Sequence, residues 1–353
     1  MDDWDVVKSI FLEKTDCPES VKTALIAESR QQWRNAQDEY GKLIQTDENL
    51  QRKGFYYESY IKCFAHLGEW DKVVEQIDSI VGNNCWDSLW DQGFNQQKLM
   101  PWYLSGQLKN SLFTENTSNQ FLSSLNESLN SDRWDYLENR FCEEIAMLWI
   151  LQKESDEAEK YLKMYLNKFL DNWQQLDLFY SNLRYNQLLK LRNIIDINDF
   201  QAVFNNLNVK NVDRVQELIN RWTRTANENV PSMLYCEEKV LYRKQFLNLL
   251  VDKIKSSNAR ELKDIVPDLN QLRFNLDEGL MDIGIEQNNF FMTRKYLRSY
   301  SKHNILKLEV VLSKMAYLKS SMLDDPTIKL DVLLKGCKPL GIFLFITFHS
   351  FLK

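Results

Sequence analysis

The sequence predicts an all-α protein whose helices pair into hairpins and stack as a curved solenoid. Three observations predict it. The chain has 353 residues but only 10 Gly and 6 Pro. Together these are about 4.5% of the chain, against an average usage of roughly 12%. Sandwiches, barrels and propellers need such residues for their many tight turns, so those folds are excluded. The second observation is apolar residues recurring at helical spacing over long stretches. The third is the lack of strand-like alternation before residue 335. With 44% hydrophobic and 27% charged residues, the composition is that of a folded chain.

The elements run in this order. Trp33, Ala36 and Tyr40 open a helix as WxxAxxxY. After Gly68-Glu69, the run Trp70-Asp71-Lys72-Val73 leads to Ile77. Residues 113–132 are rich in Ser and Asn and read as an inter-hairpin loop. From 133 to 151, Trp134, Leu137, Phe141, Ile145, Leu148 and Trp149 make one helical face. A break at Lys153-Glu154-Ser155 comes next. Then Ala158, Tyr161, Leu162, Tyr165, Leu166, Phe169 and Leu170 mark one face of a long helix. Leu183, Leu188, Leu189 and Leu191 continue in the same style. Residues 224–233, with Pro231, read as a second gap. Val240, Leu241, Phe246, Leu247, Leu249, Leu250 and Ile254 mark another long helix. After Gln287-Asn288-Asn289, the run Phe290-Phe291-Met292-Thr293 leads to Leu297.

These helix starts share a shape. A small or β-branched residue (Ala36, Val73, Ala158, Thr293) sits four before a large one, where it lets a neighbouring helix approach closely. This is the degenerate grammar of tetratricopeptide-like hairpins, on an irregular period. The expected architecture is an α-solenoid of tetratricopeptide/HEAT-like helical hairpins; an irregular helical bundle is the competing expectation. The predicted division is a helical-repeat domain over 1–335 and an anomalous tail over 336–353. From Gly336 the polar periodicity stops, and the apolar run Leu340 to Leu352 is too short to span a bilayer. The tail is read as a gene-model artefact.

Net charge is −6, so the basic excess of a standalone nucleic-acid binder is missing. Six cysteines without CxxC spacing read as reduced thiols of an intracellular protein. The acidic start Met1-Asp2-Asp3-Trp4-Asp5 does not read as a signal peptide, so the sequons at Asn116 and Asn126 are taken as chance.

The search for chemistry is mostly negative. Cys63-x-x-His66 has a ligand-like spacing, but zinc needs two more ligands, and Cys85 stands alone as a candidate. Packing is the preferred reading of that pair. Asp2, Asp3, Asp5, Asp324 and Asp325 read as helix caps in preference to magnesium ligands of an all-helical enzyme. The phosphate-loop, dinucleotide, zinc-protease and nucleophile-elbow signatures are missing, as are the kinase glycine loop and Asp-Phe-Gly. Arg294, Lys295, Arg298 and Lys302 read as a solvated helix face. The ten tryptophans read as inter-helix core. No catalytic, cofactor-binding or metal residue is assigned, and no cofactor is expected.

Several segments, in order, resemble a known family. They are Asp3-Trp4-Asp5-Val6-Val7 through Ile10-Phe11, then Ala24 to Arg30; Cys63-Phe64-Ala65-His66-Leu67-Gly68-Glu69-Trp70; Leu99-Met100-Pro101-Trp102; Leu148 to Gln152 with Ala158 to Tyr161; Glu217 to Thr223 around Trp222; and Gln287 to Phe290. The order is similar to that in the FAT domain of the phosphatidylinositol-3-kinase-related kinases, in their DNA-dependent protein kinase branch. The resemblance fades after residue 335.

The resemblance implies a partial chain that lacks the kinase domain, with Met1 an internal methionine of a longer gene. It implies a non-catalytic arch clamping its own or an associated kinase domain, with Trp70, Trp102, Trp149 and Trp222 as packing anchors. Ku heterodimer and DNA ends would be met only through the full-length protein, a nuclear serine/threonine kinase of non-homologous end joining. No membrane partner is expected. A truncated arch is expected to expose an apolar end. The alternative is a standalone tetratricopeptide-like adaptor for peptides.

Overall fold

A computed structural model describes residues 18–337 apart from 48–49, 83–84, 92, 115–118, 130, 178–180, 209–210, 227–232, 258–259, 288, 304–307 and 322–324. Among the described residues there are helices and no strand. The first group is α1 (Glu19–Ser29), α2 (Trp33–Thr46), α3 (Leu50–His66), α4 (Trp70–Val81) and α5 (Cys85–Asp91). A π-helical turn, Asn95–Leu99, leads straight into α6 (Met100–Thr114). The Met100 N–H donates to the Asn95 carbonyl. Pro101 has no N–H, which suits the change of register there. Then come α7 (Asn119–Leu129), α8 (Trp134–Arg140), α9 (Cys142–Leu151), α10 (Ser155–Gln175) and α11 (Ser181–Asn205). The last group is α12 (Val212–Arg224), α13 (Met233–Ser256), α14 (Arg260–Lys263), α15 (Val266–Glu286), α16 (Phe290–His303), α17 (Leu308–Ser321) and α18 (Pro326–Cys337).

Successive helices pack on each other, as in α1 on α2, α2 on α3, α9 on α10 and α15 on α16. The architecture is an all-α helical solenoid. One device recurs at its corners. Gln31, Gly68 and Lys153 have φ of 57°, 70° and 66°. In each case the next N–H reaches back five residues: Gln32 to Ala27, Glu69 to Phe64, and Glu154 to Trp149, at 2.9–3.0 Å. Asn289 does the same to Gly284 at 2.8 Å. At Gln31, Gly68 and Lys153 this left-handed Schellman cap ends one helix and aims the next. Four residues beyond each of these donors stands Ala36, Val73, Ala158 or Thr293, and each is fully buried. A Cβ added at Gly106 would lie 3.2 Å from Val73 Cγ1, and one at Gly284 would overlap Thr293 Oγ1. The small-residue rule therefore holds, with glycine facing it at these two crossings.

The solenoid is not purely local. Helix α13 packs on α15 and also on α6 and α3. One core runs from Ile61 to Leu318. A smaller one joins α1 to α3 around Ala24, Ala36, Tyr40 and Cys63, and Tyr60 packs against both.

The structure corrects several expectations. Most of the 113–132 loop is helix, because Phe121, Leu125 and Leu129 at fourfold spacing are buried and the serines lie between them. The single face over 133–151 is two helices, broken at Phe141 with φ of −127°. Trp134 is exposed, with Lys160 Nζ 6.0 Å from its ring centre. The gap over 224–233 lies mostly outside the described residues. The division at 335/336 falls inside α18, and the tail beyond 337 lies outside the described residues, as do Asp2 to Asp5 and Asp324. Asp325 caps α18, accepting the Thr327 N–H at 2.8 Å. A bond from the Thr327 hydroxyl and that N–H hold its carboxyl below the usual range.

Candidate functional site

The corner between α3 and α4 is where distant parts of the chain meet. Gly68 supplies the positive φ on which the chain turns there. The carbonyls on either side of that turn are taken by residues from far along the sequence. The side-chain amide of Asn289 donates to the His66 carbonyl at 2.7 Å, across 223 positions of sequence. Lys295 Nζ donates to the Gly68 carbonyl. The Asn289 Oδ1 accepts the Met292 N–H at 3.3 Å, so the same residue starts α16 and fastens it to the corner. Two segments that carry the family resemblance, Cys63 to Trp70 and Gln287 to Phe290, are thus brought together.

Glu237 of α13 lies beneath this corner, with no exposure. Its Oε2 accepts the Trp70 indole N–H at 2.7 Å, and its Oε1 accepts the Tyr296 hydroxyl at 2.8 Å. Lys295 Nζ is 3.6 Å from Oε1. Burial holds the Tyr296 hydroxyl far above its usual pKa, and Glu237 adds to the shift. Burial pulls the Lys295 ammonium down while Glu237 pulls it back up. Next door, Lys109 Nζ sits 4.4 Å from the Trp70 ring centre and 2.9 Å from Glu238. A buried carboxylate needs such saturation, since an unpaired charge in the interior is strongly destabilising.

A second buried polar cluster ties α11, α12 and α13. Arg243 grips Asp196 with Nε and Nη2 at 2.7 and 3.0 Å. The Trp222 indole N–H reaches the same carboxylate at 3.1 Å. Trp70 and Trp222 are therefore anchors as predicted, each through a buried carboxylate that periodicity did not reveal. Trp102 and Trp149 are half-buried against the core. A third cluster gathers Glu143, Glu144 and Glu238 around Asn193 and Lys190. Asn193 Nδ2 lies 3.0 Å from Glu143 and 2.9 Å from Glu238. Burial, then the neighbouring carboxylates, push Glu143 well above the usual range.

The ligand-like pair does not converge. Cys63 lies in the smaller core, where burial and Glu28 push its thiol up to about 12. His66 stacks on Trp33, ring centres 3.8 Å apart and planes 1° apart. Burial, then the charges of Lys62 and Lys109, lower its pKa to about 3. Cys85 lines a separate cavity beside Trp86 and Tyr103. Among the described residues no three His, Cys, Asp or Glu are grouped to hold a metal ion. The four cysteines whose side chains are described form no disulfide with one another.

Above the corner lies a cleft of about 870 Å³ between α4, α6 and α16. The basic run on α16 lines it, and it departs from the expected solvated face only at Lys295. Arg294 and Arg298 are exposed, while Lys295 turns inward. Lys302 lies outside the residues whose side chains are described. Arg34 pairs with Glu69 at 2.7 Å and lies 5.0 Å above the Phe291 ring. Lys72 reaches the other Glu69 oxygen at 3.3 Å.

Comparison with known proteins finds relatives over most of the chain. The chain is 22% identical over 334 residues to the DNA-dependent protein kinase catalytic subunit of Mus musculus, covering 86% of this chain. It is 22% identical over 329 residues to that of Gallus gallus, and 20% identical over 288 residues to that of Dictyostelium discoideum. The chain is homologous to these subunits. It spans about 8% of the length of the mouse and chicken proteins. No family model matches it. No helix among the described residues is long and apolar enough to cross a membrane.

Proposed function

We propose that this chain is a non-catalytic piece of a FAT-type helical arch, from a protein like the DNA-dependent protein kinase catalytic subunit. In that reading it is a tetratricopeptide-like solenoid that clamps a serine/threonine kinase domain and carries conformational strain to it. The full-length protein would act in the nucleus, in double-strand break repair by non-homologous end joining. It would meet the Ku heterodimer and DNA ends through parts outside this chain.

One observation carries the reading. On the α10–α11 hairpin, Leu166, Leu170, Leu183, Leu188 and Ile195 are 37–55% exposed. Apolar side chains left facing solvent along a helix pair mark a surface for covering. The homologous subunits are more than ten times longer, so they have the bulk to cover it. The test is a full-length transcript together with co-expression. A kinase domain encoded downstream should co-purify with this chain, and Leu170→Asp with Leu188→Asp should release it. A transcript that ends without a kinase domain, from a chain that stays monomeric and captures peptides, would leave the adaptor reading instead.

A further inference from the structure

We infer that the cleft above the α3–α4 corner is a docking groove for an acidic segment of a partner polypeptide. Charge is the first indication. The whole chain carries −6. The cleft is the reverse: Arg34, Lys72, Arg294, Lys295 and Arg298 line it, against Glu69 and Asp71 alone. With Glu237 behind Lys295 counted as well, five cations face three carboxylates, and the pocket stays positive in a negative protein. A cleft lined by one sign of charge concentrates ligands of the other sign.

The cations have different duties. Glu69 is shared by Arg34 and Lys72, which fixes the wall formed by α2 and α4. Lys295 is held between the Gly68 carbonyl and Glu237, and its ammonium lies 4.3 Å from the Phe113 ring centre. Arg294 and Arg298 sit four residues apart, on one face of α16, at the exposed edge. Guanidinium groups grip carboxylates with two parallel hydrogen bonds. Phe113 and Phe291 supply apolar floor beside them. Mixed aromatic and arginine lining is what anchors peptide segments.

The occupant is a peptide and not nucleic acid. Among the described residues, these five cations line one cleft of about 870 Å³ and not a stripe along the surface. Tracking a phosphate backbone needs such a stripe, and the net charge of −6 opposes the approach of a polyanion to the whole chain. A short acidic segment avoids both problems, because only its local charge enters the cleft.

The experiment is fluorescence anisotropy on the full chain with a labelled peptide of glutamate, serine and one phenylalanine. Saturable binding that weakens with added salt is expected. Arg294→Ala with Arg298→Ala should weaken it about tenfold, and Arg294→Glu should weaken it further, with thermal melting unchanged. The exposed pair Lys160→Ala with Lys163→Ala, on α10, should leave binding as it was. Peptide binding that survives the arginine changes, or duplex DNA that competes as tightly as the peptide, overturns the proposal.

Discussion

The α3–α4 corner and the α10–α11 hairpin are built from the same local parts and end differently. Each begins with a left-handed cap, at Gly68 and at Lys153, and has a small buried residue five positions later, Val73 or Ala158. At the corner, side chains from α13 and α16 close over the start of α4, where Glu237 collects Trp70, Tyr296 and Lys295. On the hairpin, coverage stops after two turns of α10. Ala158, Tyr161 and Leu162 are buried, whereas Leu166 and Leu170 are exposed. Periodicity decides which side of a helix is apolar. A helix far away in sequence decides whether that side is covered.

The largest effect should come from the corner. Glu237→Ala leaves a buried indole N–H and phenol, and a part-buried ammonium, around a void. It should cost about 3–5 kcal/mol, seen as a lower urea midpoint. Glu237→Gln keeps the shape and one carbonyl acceptor, and should cost less. A loss below about 1 kcal/mol for the alanine would mean that water enters and the corner is no better covered than the hairpin.

The hairpin supplies its own contrast within one helix. Leu162→Ala should cost about 2–5 kcal/mol, because the side chain is 3% exposed. Leu166→Ala, one turn later and 37% exposed, should change stability by no more than about 0.5 kcal/mol in the isolated chain. Both should matter equally in a complex that covers the hairpin. Equal losses in the isolated chain would show that the hairpin is already covered, for instance by self-association.

His66 gives the corner a pH dependence. Its pKa is near 3 in the folded chain, lowered chiefly by burial, against about 6.5 unfolded. Above pH 6.5 both states are neutral and nothing changes. As pH falls below that, the unfolded state takes the proton first, so stability declines by about 1 kcal/mol per pH unit until the folded pKa is reached. His66→Phe keeps an aromatic ring against Trp33 and should flatten that part of the curve. An unchanged slope would move the pH sensitivity elsewhere.

The same contrast explains which features are legible in sequence. Helix starts at Trp33, Trp70, Ser155 and Phe290 are readable because cap, turn and small residue are local. The 113–132 stretch misleads because Ser and Asn mark loops on average, yet Phe121, Leu125 and Leu129 override them by packing. The carboxylates Glu237 and Asp196 are not readable. Nothing near either residue in sequence names its tryptophan, which lies 167 and 26 positions away. The cleft is half legible: the basic run at 294–298 is plain in the sequence, but its opposite wall begins at Arg34.

The smallest predicted effect compares the two caps directly. Lys153 holds φ of 66° and is exposed, so its side chain does nothing there that glycine would not improve. Lys153→Gly should raise stability by about 0.5–1 kcal/mol, read as a small increase in Tm. At the corner the logic reverses. A Cβ on Gly68 would sit 3.4 Å from Glu237 Oε1 and from Met292, at φ of 70°. Gly68→Ala should therefore destabilise by about 1 kcal/mol or more through the backbone alone. If the two substitutions moved Tm in the same direction, the caps would not be equivalent, and the shared corner geometry would have to be explained by what packs on each corner.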